Sequence, residues 1–149
     1  MYTYLIGIDC GVNTGFAVYN KTTRKFRELD TYTFWQTIHR LDHYFRQHTK
    51  GEMVVEVFIE DVTQNKPTFN KGQWSINQYR KISQNVGQNK RDCQLLMEYC
   101  ELNSITIHKI RPHKGSLTKL SQEQFLEHTG YSGRSSSHSR DAAMLVWGK

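Results

Sequence analysis

The chain has 149 residues, enough for one domain with its own core and too few for two of ordinary size. Apolar residues make up 37% of it, and no apolar run approaches the roughly 18 residues a membrane-spanning helix needs; residues 1–6 also lack the basic and apolar blocks of a secretion signal. Net charge is +6, carried unevenly: residues 1–61 hold 7 Lys/Arg against 8 Asp/Glu, residues 62–119 hold 10 against 3, and residues 120–149 hold 3 against 3, so the excess lies in the middle third and suits a polyanion.

In chain order, residues 3–9 are apolar and β-favouring and end in Asp9. The turn-rich residues 10–15 separate them from a second short strand over 16–19, which predicts a hairpin. Residues 25–34 alternate as a third strand. Trp35, Ile38, Leu41, Tyr44 and Phe45 recur at helical spacing and predict a helix over 35–47, stopped by Gly51. Residues 54–59 form a nearly continuous apolar run, the pattern of a central strand buried on both faces, followed by Glu60 and Asp61.

Residues 62–79 are polar, contain Pro67 and Gly72, and carry Phe69, Trp74 and Tyr79; a loop of this length points to function. A long helix is expected from about 80 to 102, with Ile82, Val86, Cys93, Leu96, Met97 and Cys100 on one side. Residues 104–110 read as a fifth strand. Ser121 caps a short helix to about 128, with Gln124 in capping-box position. A Gly/Ser-rich linker over 130–137 leads to a last helix over 138–147. Three antiparallel strands followed by strand–helix–strand crossovers predict an α/β fold: a mixed five-stranded sheet flanked by helices, in one domain over 1–149. Cys93 and Cys100, seven apart on a helix, are about 10 Å apart, too far to bridge, so Cys10, Cys93 and Cys100 read as reduced thiols of a cytoplasmic protein.

Asp9 and Glu60 end two core strands, and Asp141 lies on the last helix with His138 three residues before it on the same face. Carboxylates at the edge of an apolar core are costly to desolvate, and clustered ones repel; divalent cations relieve both problems. Oxygen ligands of this kind suit Mg²⁺, with Mn²⁺ as a substitute, and two such ions can clamp a phosphodiester for attack by water. Asp61 competes with Glu60, because adjacent strand residues point to opposite faces.

These segments carry a resemblance. LIGIDCGVNTGFAVY (5–19), VFIED (57–61) and HSRDAAMLVW (138–147) resemble, in order and spacing, motifs of the RuvC family of Holliday junction resolvases, and VGQNKRDCQLLMEYC (86–100) is similar to its long central helix. The resemblance spans nearly the whole chain. It implies an RNase H-like fold, a homodimer, and a crossover junction endodeoxyribonuclease that makes paired cuts leaving 5'-phosphate and 3'-hydroxyl ends. It also implies that Asp9 bridges two Mg²⁺ ions, Glu60 holds one, Asp141 binds the other, and His138 coordinates a metal or contacts the attacking water. Cys10 stands where proline is usual, and His138 where many members have a carboxylate, which lowers the negative charge of the site. The compact size points to a phage or mobile-element branch.

Under the same resemblance the 62–79 loop faces DNA, with Phe69 as a wedge at the crossover and Trp74 behind it; core packing at the loop's base is the other reading of Trp74. Lys66, Lys71, Arg80, Lys81, Lys90, Arg91, Lys109, Arg111, Lys114 and Lys119 are candidate phosphate contacts. Three alternatives stand beside this reading. IGIDCG is also similar to the phosphate loop of actin-like ATPases and sugar kinases, but a nucleotide cofactor would need a second such domain. The fold could instead serve RNA or RNA–DNA hybrids, or a non-catalytic branched-DNA-binding module.

Overall fold

The computed structural model describes residues 1–67, 69–112 and 118–149. Its strands are β1 (Tyr2–Asp9), β2 (Thr14–Asn20), β3 (Lys25–Tyr32), β4 (Met53–Glu60) and β5 (Thr106–Ile110); its helices are α1 (Phe34–Thr49), α2 (Ile76–Leu102), α3 (Gln122–Thr129) and α4 (Ser137–Met144). The strands form one sheet in the order β3-β2-β1-β4-β5. β1–β2 and β2–β3 are antiparallel, whereas β1–β4 and β4–β5 are parallel. The chain is therefore α/β, with a five-stranded mixed sheet flanked by helices, as the alternation of strand and helix patterns predicts.

Strand alternation sorts β1 into two faces. Tyr4, Ile6 and Ile8 pack with Val55, Val57 and Ile59 of β4 under α1 (Leu41, Tyr44, Phe45) and the second half of α2 (Cys93, Leu96, Met97, Cys100). On the other face Leu5 packs with Tyr19, Phe58 and Val146, and Ala17 with Phe125, Ala142 and Ala143 of α3 and α4. A sheet covered on both sides needs apolar residues at every position of its central strands, which is why β2 is buried throughout.

Several element ends follow from their caps. Ser121 accepts from the Gln124 N–H and Gln124 answers to the Ser121 N–H, the expected capping box. Ser75 and Gln78 make the same box, so α2 begins at Ile76, a turn earlier than the apolar spacing alone predicts. Val62–Gln64 form a short 3-10 turn at the start of the segment expected to be all loop. β5 starts at Thr106 because Ser104 adopts a left-handed backbone (φ 56°) just after α2. No described helix is long and apolar enough to cross a membrane.

Candidate active site

β1 and β4 are parallel neighbours with Ile8 opposite Ile59, so their last residues, Asp9 and Glu60, stand side by side at the carboxyl edge of the sheet. Both fall on the α4 face: Asp9 follows the alternation of Leu5 and Gly7, and Glu60 that of Glu56 and Phe58. Asp9 is 14% exposed. Burial pushes its carboxyl up from the ordinary 3.8 to about 6; a hydrogen bond with the Glu60 side chain works against this shift, and the charge of Asp141 adds to it. Asp9, Glu60 and Asp141 thus interact although they are far apart in sequence.

Two glycines bring α4 close enough for this. A methyl group on Gly15 would collide with the His138 carbonyl oxygen, and one on Gly7 with that of Ala142. The helix therefore lies directly on the backbones of β1 and β2, and glycine at both places is a packing requirement. This seat sets the His138 imidazole, 47% exposed, with Nδ1 3.4 Å from Asp9 Oδ2. Ser136 caps α4 by accepting from the Ser139 N–H.

Asp141 is held from its other side. Its Oδ1 accepts from the Lys119 backbone N–H at 2.9 Å, and Lys119 adopts φ 55°, a conformation that costs a non-glycine residue about 1–2 kcal/mol. Arg140 anchors the flanks: Nε donates to the Leu120 carbonyl at 2.7 Å, and Nη1 to the Ser135 carbonyl at 2.9 Å. The roles of Gly7, Gly15, Arg140 and the Lys119 amide were not read from sequence. Only the glycines left a signal there, since glycine inside an apolar strand marks close backbone approach.

The Glu60/Asp61 ambiguity resolves by position. Asp61 is 5% exposed and caps the 3-10 turn, accepting from Thr63 N–H at 3.1 Å and Gln64 Nε2 at 3.0 Å. Burial raises its pKa, but the Thr63 and Gln64 hydrogen bonds outweigh that and hold it below the ordinary value. Behind the site, the Cys93 thiol donates to the Glu60 carbonyl at 3.5 Å and tethers α2 to the end of β4. Cys10, Cys93 and Cys100 are free and buried.

The donor set is three carboxylates and one imidazole, an oxygen-rich environment that fits a hard divalent cation. Burial and the charge of Asp141 both disfavour the ionised Asp9 carboxylate, a penalty that a bound cation would offset. Among the described residues, no three His, Cys, Asp or Glu side chains are gathered as a ready-made metal cage.

Exposure sorts the residues expected to face DNA. Lys66, Lys71, Arg80, Lys81, Arg91, Arg111 and Lys119 are exposed. Lys90 donates from Nζ to the Asn65 carbonyl at 3.0 Å, and Lys109 pairs with Glu101 at 3.2 Å, so both have structural employment. Phe69 is 68% exposed. Trp74 is half-buried and stacks on Tyr79, with ring centroids 6.4 Å apart and planes 12° apart, outside the three buried clusters. Lys114 lies outside the described residues. No protein-family model, curated protein or solved structure matches the chain.

Proposed function

We propose that the chain is a magnesium-dependent endonuclease of RNase H-like fold that cuts branched DNA, as the RuvC-family resolvases it resembles do. The observation that carries this reading is Asp9 and Glu60 side by side at the carboxyl edge of the sheet, with His138 3.4 Å from Asp9 and Asp141 on the same helix near enough for its charge to act on Asp9. The basic segments support DNA as the polyanion: the 62–75 loop leaves β4, and Arg111 follows β5, both from the carboxyl edge that carries the acids.

Asp9 and Glu60 would hold the cation, with Asp141 and His138 on its flank. Bound Mg²⁺ would neutralise the phosphate and make water a better nucleophile, and a pair of ions would serve both the entering and leaving oxygens. The protein's own residues set the rest. The Lys119 amide fixes the orientation of the Asp141 carboxylate. With Nδ1 turned to Asp9, His138 has Nε2 left to take a proton from water or to meet phosphate. Paired cuts across a four-way junction require two such sites, hence a homodimer, which sedimentation with and without junction DNA would reveal.

The deciding experiment incubates the protein with a labelled immobile four-way junction and Mg²⁺, then adds ligase. Symmetric nicks that ligase reseals are expected. Asp9→Asn should lower cleavage by at least about 10³-fold while leaving junction binding within about twofold, because it removes a metal ligand and spares the cationic surface. Degradation of an RNA–DNA hybrid with the deoxy junction left whole would replace this reading by a hybrid nuclease. Binding without any cleavage in Mg²⁺ or Mn²⁺ would leave a DNA-binding module.

A further inference from the structure

Beside the acidic edge, two strands along the sheet on β3, lies a cavity of about 550 Å³ lined by Asp30, Thr31, Arg134, Ser135, Ser136 and Ser139. Its distance from the acids follows from pairing: Thr31 is opposite Gly15, and Gly15 is opposite Asp9. Two strand spacings place it about 10 Å from Asp9, within reach of the nucleotide next to a phosphate held there.

Its walls are fixed. Thr31 Oγ1 is hydrogen-bonded to Ser136 Oγ, joining β3 to the cap of α4. Ser139, fully buried, donates from Oγ to the Ser136 carbonyl at 3.0 Å. Two charged groups remain uncommitted. Asp30 accepts the Thr31 N–H through Oδ1 alone, and neither its Oδ2 nor the Arg134 guanidinium hydrogen-bonds or ion-pairs with another described residue. A bare anion would meet the Asp30 carboxylate, and a neutral sugar would leave Arg134 unused. A nucleotide satisfies both, with phosphate oxygens for the guanidinium and base N–H groups for the carboxylate.

We propose that this cavity is the subsite for a single nucleotide of the cut strand adjacent to the scissile phosphate, with Arg134 on its phosphate and Asp30 reading an amino group on its base. This rests on the nuclease reading and adds a source of cut-site preference to it. Amino-bearing bases are favoured there because a carboxylate accepts from cytosine N4, adenine N6 or guanine N2 and repels the carbonyl edge of thymine.

The test maps cuts on four-way junctions with each of the four bases at the positions flanking the crossover, in Mg²⁺. Wild-type protein should cut least where thymine, the one base without an amino group, stands at one flanking position. Asp30→Asn should spread the cuts among bases without lowering the total rate by more than about twofold. Arg134→Ala should raise KM about tenfold with kcat little changed, as loss of one charge-assisted phosphate contact predicts. Both side chains are exposed, so thermal unfolding should stay at the wild-type temperature and separate a lost contact from a damaged fold. Unchanged preference and KM in both variants, on a protein that does cut the junction, would overturn the subsite alone. A wild-type protein that cuts no junction would overturn the nuclease reading and the subsite with it.

Discussion

At the scale of single residues, the cost of the site is concentrated on Asp9. Folding raises its pKa from 3.8 to about 6, so the ionised form is the disfavoured one. Without a cation there is no penalty below pH 3.8; the penalty grows between pH 4 and 6 and is complete above 6. Two pKa units correspond to about 3 kcal/mol, and the residual exposure of the side chain reduces that to about 1–2 kcal/mol. Asp9→Asn should therefore be the more stable protein at pH 7 in a chelator, and no more stable at pH 4. Thermal melts at the two pH values check this, and an equal difference at both would show that the carboxylate is not the strained group. Gly15 makes the opposite case. Alanine there drives a methyl group into the backbone of α4, and because a helix carbonyl cannot step aside as a side chain can, about 3 kcal/mol should be lost together with cleavage. Gly87, on α2 with nothing near the position of its missing Cβ, is the control: alanine should add about 1 kcal/mol in a urea titration. If the two substitutions cost the same, seating α4 is not what Gly15 does.

At the scale of elements, β3 and α1 are joined by a polar network that the apolar pattern does not contain. Glu28 accepts from Arg40 Nε at 3.0 Å and, through its other oxygen, from Arg40 Nη2; Tyr32 and Tyr44 donate to it at 2.7 and 2.8 Å. Burial raises the Glu28 pKa, but the hydrogen bonds from Arg40, Tyr32 and Tyr44 outweigh it and hold the carboxyl below its ordinary 4.5. An acid with a lowered folded pKa stabilises above its unfolded value and loses that contribution as pH falls. Glu28→Gln should accordingly cost about 2 kcal/mol at pH 7, and the gap from wild type should narrow below pH 4.5. Urea titrations at pH 7 and 3 decide it; a gap independent of pH would mean that shape, not charge, holds β3 to α1. The elements themselves were largely legible, because strands and helices print their period on the sequence: all five strands and the capping box at Ser121 could be read. The start of α2 could not be placed from apolar spacing, since residues 76–92 bury no side chain fully, and its signal was the polar pair Ser75 and Gln78. The shared face of Asp9 and Glu60 was also hidden. β1 is apolar on both faces, so hydropathy does not show which residues point where, and only the register of β1 against β4 settles it.

At the scale of the molecule, α2 is too long for the sheet it covers. Its buried residues run from Cys93 to Cys100, and Cys93 sits at the level of Glu60, where β4 ends. The 17 residues from Ile76 to Asp92, about 25 Å of helix, therefore lie beyond that level, with Lys90 hydrogen-bonded to the Asn65 carbonyl just after β4. That overhang carries Arg80, Lys81, Lys90 and Arg91 against a single acid, Asp92, and the stacked Trp74 and Tyr79 stand at its far end, where α2 begins. A segment with so little burial contributes little to folding, and what it does contribute is a cationic arm beside the proposed cutting site. Replacing Arg80 and Lys81 together by glutamate should thus leave the thermal midpoint within about 1 °C, because both side chains are exposed. The same change should weaken junction binding and make the slope of log K against log salt shallower by about 2, one counterion for each lost phosphate contact. Fluorescence anisotropy across a salt series measures that slope. Weaker binding with an unchanged slope would mean that the two cations act through the arm's conformation and do not touch phosphate, and the DNA path would then have to run along the edge beside Arg111 and Lys119.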